Sequence, residues 1–339
     1  MKPLKVCLIG AGRVGSFIGH IYNEYITKAR ITAIVDTDFS TASLLVKNND
    51  LPKNSVFTDF EQAILKQKFD AVLVTTPTFT HKDLTKIAAN KKINVFCEKP
   101  MAITIEDCDE MIEACEKNNV ILQIGFMRRF NKDFQAAKSH IDEGLIGEPI
   151  IIKSLTRGPG LAPKWSYDIK NSNGILAEVN SHDFDTVRWL ANSEYTKVYA
   201  EAHNFKSQEI LKEYPQFYDS AIVNLRLKNN TMATIDVVCP CDYGYDSRTE
   251  VVGTKGVIFI GSLKGNTLSY CTKDNSIVTP QFLSWKNRFQ EGYINEHKYF
   301  INCIIKGEKP VVAGYDGKMA TCAVIAANSS IISGKAVNL

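Results

Sequence analysis

The apolar run Leu4–Ile9 stops at Gly10-Ala11-Gly12-Arg13-Val14-Gly15, and Ser16–Tyr25 continues with helical spacing. Strand, glycine turn and helix in that order restrict the chain to a βαβ start. Glycines let the backbone turn sharply and approach a pyrophosphate, which then rests on the amides of the helix N-terminus. The next strand, Ile31–Val35, ends in Asp36, at the distance where a carboxylate meets the adenosine ribose. A carboxylate there accepts from both ribose hydroxyls and repels a 2′-phosphate, so NAD is expected over NADP. Thr37 and Lys47 leave room for tolerance. Gly10, Gly12, Arg13, Val14, Gly15 and Asp36 are the cofactor candidates on this reading. A glycine turn that binds nothing is the plain alternative.

The alternation continues with a helix at Asp59–Lys66, a buried strand at Ala71–Thr75 and a helix at Lys82–Asn90. A strand at Asn94–Cys97, a helix at Ile105–Asn118 capped by Thr104, and a strand at Ile121–Ile124 follow. The pattern is a doubly wound parallel sheet, in which ligands gather at the carboxyl ends of the strands. Two polar clusters stand at such ends, Thr75-Thr76-Pro77-Thr78-Phe79-Thr80-His81 and Glu98-Lys99-Pro100. Read blandly, the first is a cap with a turn proline and the second a pair of loop charges. Lys99, however, falls at the mouth where a nicotinamide should lie, and a partly desolvated ammonium there can exchange a proton near neutrality.

At 339 residues two domains are expected. The pattern changes after Ile124, which suggests a Rossmann domain over 1–124 and a substrate and oligomerisation domain over 125–339. A net charge of +3 with no Lys/Arg run argues against a nucleic-acid partner. No apolar stretch reaches 18 residues, and the chain enters its first strand without a leader pattern, so no membrane partner and a cytoplasmic location are expected. The 9 cysteines include no Cys-x-x-Cys pair. Cys239-Pro240-Cys241 is better read as reduced structural cysteine than as a metal site, and no metal is expected.

Beyond Ile124 come a helix at Lys132–Glu143, a strand at Ile150–Arg157 and a Gly/Pro-rich loop, Gly158–Pro163. Strand-like runs occupy Lys197–His203, Ser220–Leu227, Met232–Val238, Thr249–Val252, Val257–Ile260 and Thr267–Cys271, before helices at Asn287–Ile305 and Asp316–Ile332. This is an α+β domain with a large, mainly antiparallel open sheet. Between these parts lies Gly174–Leu190, whose mixed apolar spacing reads as a helix buried on more than one side. Glu178, His182 and Asp185 stand at i, i+4 and i+7, on one face of such a helix. They are either a site or groups that satisfy one another at a domain interface.

The glycine turn, Thr76-Pro77 with His81, Glu98-Lys99-Pro100, Gly125-Phe126-Met127-Arg128-Arg129-Phe130 and the His182 helix occur in that order. Together they resemble the Gfo/Idh/MocA oxidoreductase family over essentially the whole chain. The Gly125–Phe130 run in particular is similar to the inositol 2-dehydrogenases within it. The resemblance implies that Thr76, Pro77, His81, Glu98 and Lys99 belong to the cofactor site. It also implies that the open sheet makes a homo-oligomer, a dimer or a homotetramer. Catalysis would use Lys99 with an acid and a histidine four residues later, here Glu178 and His182. Two positions depart from the family pattern: the acid is usually Asp, and Asn173-Gly174 stands where two glycines are common.

Oxidising a secondary alcohol needs a hydride acceptor, which NAD supplies, and a base for the hydroxyl proton. His182 is the best base by its intrinsic pKa, while Lys99 would stabilise developing alkoxide charge. A cyclic polyol needs many hydrogen bonds and a flat apolar face. Arg128, Arg157, Asp185, Tyr243 and Tyr245 are the further candidates to bind it beside Lys99, Glu178 and His182. The expected activity is oxidation of a ring hydroxyl of myo- or scyllo-inositol by NAD. The alternatives are an aldose, amino sugar or sugar acid as substrate, and a non-catalytic dinucleotide-binding regulator.

Overall fold

In the computed structural model, which describes residues 2–339, the chain forms two compact units. The first holds residues up to Phe130 together with 291–321, and the second holds 131–290 together with 322–339. A single cut after residue 124 therefore does not describe the division, because the chain returns to its first unit late in its course.

The first unit carries β1 (Leu4–Ile9), α1 (Arg13–Tyr25), β2 (Ala29–Val35), α2 (Phe39–Asn48), β3 (Val56–Phe57), α3 (Phe60–Lys66) and β4 (Ala71–Val74). It continues through α4 (His81–Asn90), β5 (Asn94–Cys97), α5 (Ile105–Lys117) and β6 (Leu122–Ile124). The strands are parallel in the order β3-β2-β1-β4-β5-β6, the doubly wound arrangement expected. Helix starts are set by side-chain caps: Asp38 accepts from the Ser40 amide, Asp59 from Gln62 and Thr104 from Asp107. Helix α2 and strand β3 were not expected. The first is short and rich in Ser and Thr, and the second is too short to show a period.

The second unit begins with α6 (Lys132–Asp142) and β7 (Pro149–Arg157). Three short helices follow, α7 (Ile169–Ser172), α8 (Gly174–Glu178) and α9 (Ser181–Leu190). Next come β8 (Tyr195–His203), β9 (Ser220–Leu227), β10 (Met232–Val238), β11 (Asp246–Gly253) and β12 (Val257–Ile260). A small separate hairpin, β13 (Tyr270–Cys271) with β14 (Ile277–Val278), precedes α10 (Trp285–Lys306), α11 (Gly314–Ser333) and β15 (Val337–Asn338). The seven-stranded sheet runs β12-β11-β7-β10-β9-β8-β15. It is mainly antiparallel, as expected, with β7 and β10 parallel. Thr267–Cys271 does not join this sheet. Only Tyr270–Cys271 is extended, and it pairs with β14.

The part of α10 beyond Glu291 lays an aromatic row on the first unit. Tyr293 meets Phe17 edge-on at 5.4 Å, and Phe300 meets Phe96 at 5.6 Å. His297, fully buried, lies 4.3 Å from the Phe96 ring and 5.3 Å from the Tyr22 ring. Neither of its nitrogens has a hydrogen-bond partner. Burial lowers its pKa to about 3, against 6.5 in an unfolded chain. The folded value is depressed, so the unfolded chain binds this proton first and stability is lost as pH falls below 6.5. Between pH 7.5 and 4.5 this one ring removes about 2–3 kcal/mol of folding free energy. Urea unfolding at those two pH values should show that difference narrow by a similar amount in His297→Leu. An unchanged pH dependence in the variant would show that the ring is not the acid-sensitive group.

Candidate active site

The first unit brings the ends of β1 and β4 close together beside the glycine turn. Gly10 has φ +95°, and a Cβ there would lie 2.8 Å from the Thr75 carbonyl carbon and oxygen. Thr75 ties the two strand ends together, its hydroxyl donating to the carbonyls of Ile9 and Gly10 at 2.9 and 2.7 Å. A Cβ on Gly15 would meet the Gly10 carbonyl oxygen, so the helix too must approach closely. Gly12 differs. A Cβ there meets nothing within 4 Å, and no side chain caps α1 at this residue. Open space over the first amides of a 13-residue helix, next to a glycine turn, fits a pyrophosphate. Arg13 and Val14 are the first two residues of α1. Asp36 follows β2, and its carboxylate accepts from the Ala11 amide at 2.7 Å and the Asp38 amide at 2.9 Å. The acid is thereby aimed at the glycine turn. These residues fit a bound NAD.

Thr76, Pro77 and His81 form a second group beyond β4. The Thr80 hydroxyl donates to the Pro77 carbonyl, so the 2.6 Å contact between Thr76 and Thr80 has Thr76 as donor. His81 is buried, with Nδ1 2.9 Å from the Pro100 carbonyl oxygen and Nε2 2.9 Å from that of Thr76. Burial, with the Lys99 ammonium as a smaller influence, holds its pKa below the ordinary value. Both ring nitrogens thus face main chain. His81 braces the Thr76 turn against the Lys99-Pro100 turn. Glu98 is buried, and its carboxylate accepts from the Lys99 amide at 3.2 Å. Lys99 is half-buried after β5, and Arg128 is fully buried in the turn after β6.

In the second unit the helix expected over 174–190 is interrupted. Helix α8 ends at Glu178, Val179 and Asn180 lie between, and α9 starts at Ser181. The Asn180 amide reaches back to Ile175 across a long 3.4 Å contact, and those of Asp183 and Phe184 both turn to the Asn180 carbonyl. An ideal i, i+4, i+7 stripe from Glu178 through His182 to Asp185 therefore does not exist, since the backbone changes course between the first two. His182 and Asp185 are buried and Glu178 is half-buried. Expectation of burial on several sides holds: residues 181 to 187 are all buried.

Asp183 accepts from Ser154 at 2.6 Å, Thr156 at 2.7 Å and Asn180 at 2.8 Å. Sequence reading missed this group, although Ser154-x-Thr156 on one face of an apolar strand was a usable signal. Strand alternation puts Arg157 on the other face. There its Nε donates to Asp236 at 2.8 Å, and its guanidinium meets the Tyr243 hydroxyl at 3.3 Å. Tyr243 donates to buried Asp246, which Arg248 also grips. Arg157 and Tyr243 are brought together, but across the sheet from Asp183 and α9. Tyr245 is buried, edge-on to Phe289 at 6.3 Å. Cys239 and Cys241 are buried; Cys239 accepts from the Gly158 amide, and burial pushes its thiol up to about 12.

Residues 4–126 match the model of an oxidoreductase family with an NAD-binding Rossmann fold, and residues 134–259 match the Gfo/Idh/MocA C-terminal domain. The chain belongs to the Gfo/Idh/MocA oxidoreductases. It is 34% identical to the myo-inositol 2-dehydrogenase of Thermotoga maritima, over 99% of this chain and 98% of that one. It is 30% identical to the NAD-dependent scyllo-inositol 2-dehydrogenase of Bacillus subtilis, over 99% and 96%. The crystal structure of scyllo-inositol dehydrogenase from Lactobacillus casei with bound NAD(H) and scyllo-inositol superposes with a TM-score of 0.92 at 26% identity, covering 99% of both chains. As a family member this chain is an NAD-binding oxidoreductase.

The two glycines give opposite tests. Gly12→Val has room in the fold but fills the open space over the first amides of α1, so the thermal midpoint should hold while NAD affinity should fall at least tenfold by calorimetry, about 1.4 kcal/mol. Gly10→Ala places a Cβ against the Thr75 carbonyl at positive φ and should cost about 1–3 kcal/mol of stability. Equal stability losses in the two variants would contradict this division.

Proposed function

We propose that this Gfo/Idh/MocA oxidoreductase oxidises a ring hydroxyl of an inositol, myo or scyllo, to the ketone with NAD. The observation that carries the reading is full-length similarity to two named inositol dehydrogenases in a chain that keeps Lys99 and His182. NAD supplies the hydride acceptor. His182 takes the proton of the reacting hydroxyl as it becomes a ketone. Lys99 hydrogen-bonds that oxygen and stabilises its developing charge. Glu178 bonds a neighbouring hydroxyl and tunes both. Arg128 and Asp185 remain proposed substrate-side residues, while the positions of Arg157, Tyr243 and Tyr245 favour roles in the sheet and its loop.

Glu178 in place of the family's usual Asp supports a second reading, an aldose, amino sugar or sugar acid on the same machinery, because an extra methylene shifts the carboxylate by about 1 Å. Steady-state assays with both inositols and a panel of such sugars decide between them. NADH from an inositol is the expected result, and turnover of another sugar alone would overturn it. Lys99→Met should lower kcat about 10³-fold while leaving NAD binding intact. Near wild-type turnover would reduce Lys99 to a surface charge and revive the non-catalytic alternative for this motif.

We place the protein in the cytoplasm; no helix among the described residues is long and apolar enough to cross a membrane. No nucleic-acid partner is proposed. We propose a homotetramer that uses the outer face of the second sheet, where Ile222, Met232, Val257 and Phe259 are exposed. Sedimentation should show a tetramer, and Phe259→Lys should shift it to smaller species. A monomeric wild-type protein would exclude this assembly.

A further inference from the structure

Asp183 follows His182 directly, is fully buried, and uses both carboxylate oxygens on donors from elsewhere in its unit. The direction of each bond is determined. Ser154 gives its single proton to Asp183, so the 3.0 Å contact between Ser154 and Thr249 has Thr249 as donor. Ser154, Thr156, Asn180 and Thr249 are themselves buried. Two hydroxyls two residues apart on β7 thus each hold one oxygen of a single carboxylate in the first turn of α9.

The turn needs such a hold. Helix α8 ends at Glu178, and Val179 and Asn180 interrupt the helix before α9 starts, so α9 is not a regular continuation of α8. On the other flank of His182, the Ser181 hydroxyl donates to the Ala177 carbonyl, and Thr186 donates to the His182 carbonyl at 2.6 Å. The main chain before and after the imidazole is bound on both sides. The bonds of Asp183 to β7 oppose rotation of α9 about its own axis. A side-chain tip stands about 6 Å from that axis. A rotation of about 10° therefore moves it by about 1 Å, and displacements of that size cost up to ~10²-fold in rate.

We propose that Asp183, gripped by Ser154 and Thr156, is a positioning residue that sets the direction of the His182 imidazole for proton removal. The inference rests on the role proposed above for His182. Thr156→Val keeps the shape and deletes one donor, whereas Thr156→Ser keeps the donor. In the full-length enzyme assayed with the preferred inositol, Thr156→Val should lower kcat on the order of tenfold with unchanged affinity for NAD, and Thr156→Ser should restore it. Placed in a His182→Ala background, Thr156→Val should cost nothing further, since the group it positions is gone. Full kcat in Thr156→Val, or the same fold loss with and without His182, overturns the clamp. Should Thr156→Val fold poorly, Ser154→Ala read the same way in both backgrounds decides the matter. Wild-type turnover by His182→Ala alone overturns the role of His182 and the clamp with it, and so separates the two failures.

Discussion

The first unit depends on how closely β1 and β4 end beside one another. Gly10 has no Cβ because the Thr75 carbonyl already occupies that place. The Thr75 amide and hydroxyl both bond the Ile9 carbonyl, and the Gly10 amide bonds Val35 at the end of β2. Three parallel strands are stitched at their carboxyl ends, where a doubly wound sheet reverses direction. This close approach leaves space above Gly12 and brings the Asp36 carboxylate onto the Ala11 amide. The Asp36 carboxylate and the open space over the first amides of α1 are therefore parts of one contact. Loosening the Gly10–Thr75 approach would disturb both.

That part of the molecule was legible because its signals are local. Strand, glycine turn, helix and an acid at the end of the next strand are read along the chain, and the parallel doubly wound class follows from the alternation. The segment 39–57 was less so. Helix α2 is held by Asp38, whose carboxylate bonds Ser40 and Thr41, but Ser and Thr weaken any helical period, and β3 has two residues. The return of residues 291–321 to the first unit was not legible at all. Its cause is a set of contacts between residues far apart in sequence: Phe17 with Tyr293, Phe96 with His297 and Phe300, and Arg129 with Asp316 at 2.9 Å.

In the second unit, alternation revealed the strands but not their partners. Period-two patterns state which residues share a face, and nothing in them distinguishes the parallel pair β7–β10 from its antiparallel neighbours. The same rule separates Arg157 from Ser154 and Thr156, which lie on the opposite face of β7. The break at Val179–Asn180 did leave a trace, since the apolar residues of 174–190 follow no single helical stripe.

Burial of residues 181–187 puts a cost of about 1–3 kcal/mol on each polar group left unsatisfied there. The partners sort its polar residues by task. Ser181 and Thr186 return their hydroxyls to carbonyls one turn back, and Asp183 is satisfied by two hydroxyls of β7 and by Asn180. The main chain takes part as well: the Phe184 carbonyl accepts from the buried Tyr195 hydroxyl. These bonds belong to the fold, and each involves a neighbour of His182 in sequence or along the helix. Polar atoms that the sequence concentrates here thus divide into a scaffold and the groups it carries. Chemistry proposed for His182 draws its precision from residues that touch neither substrate nor cofactor.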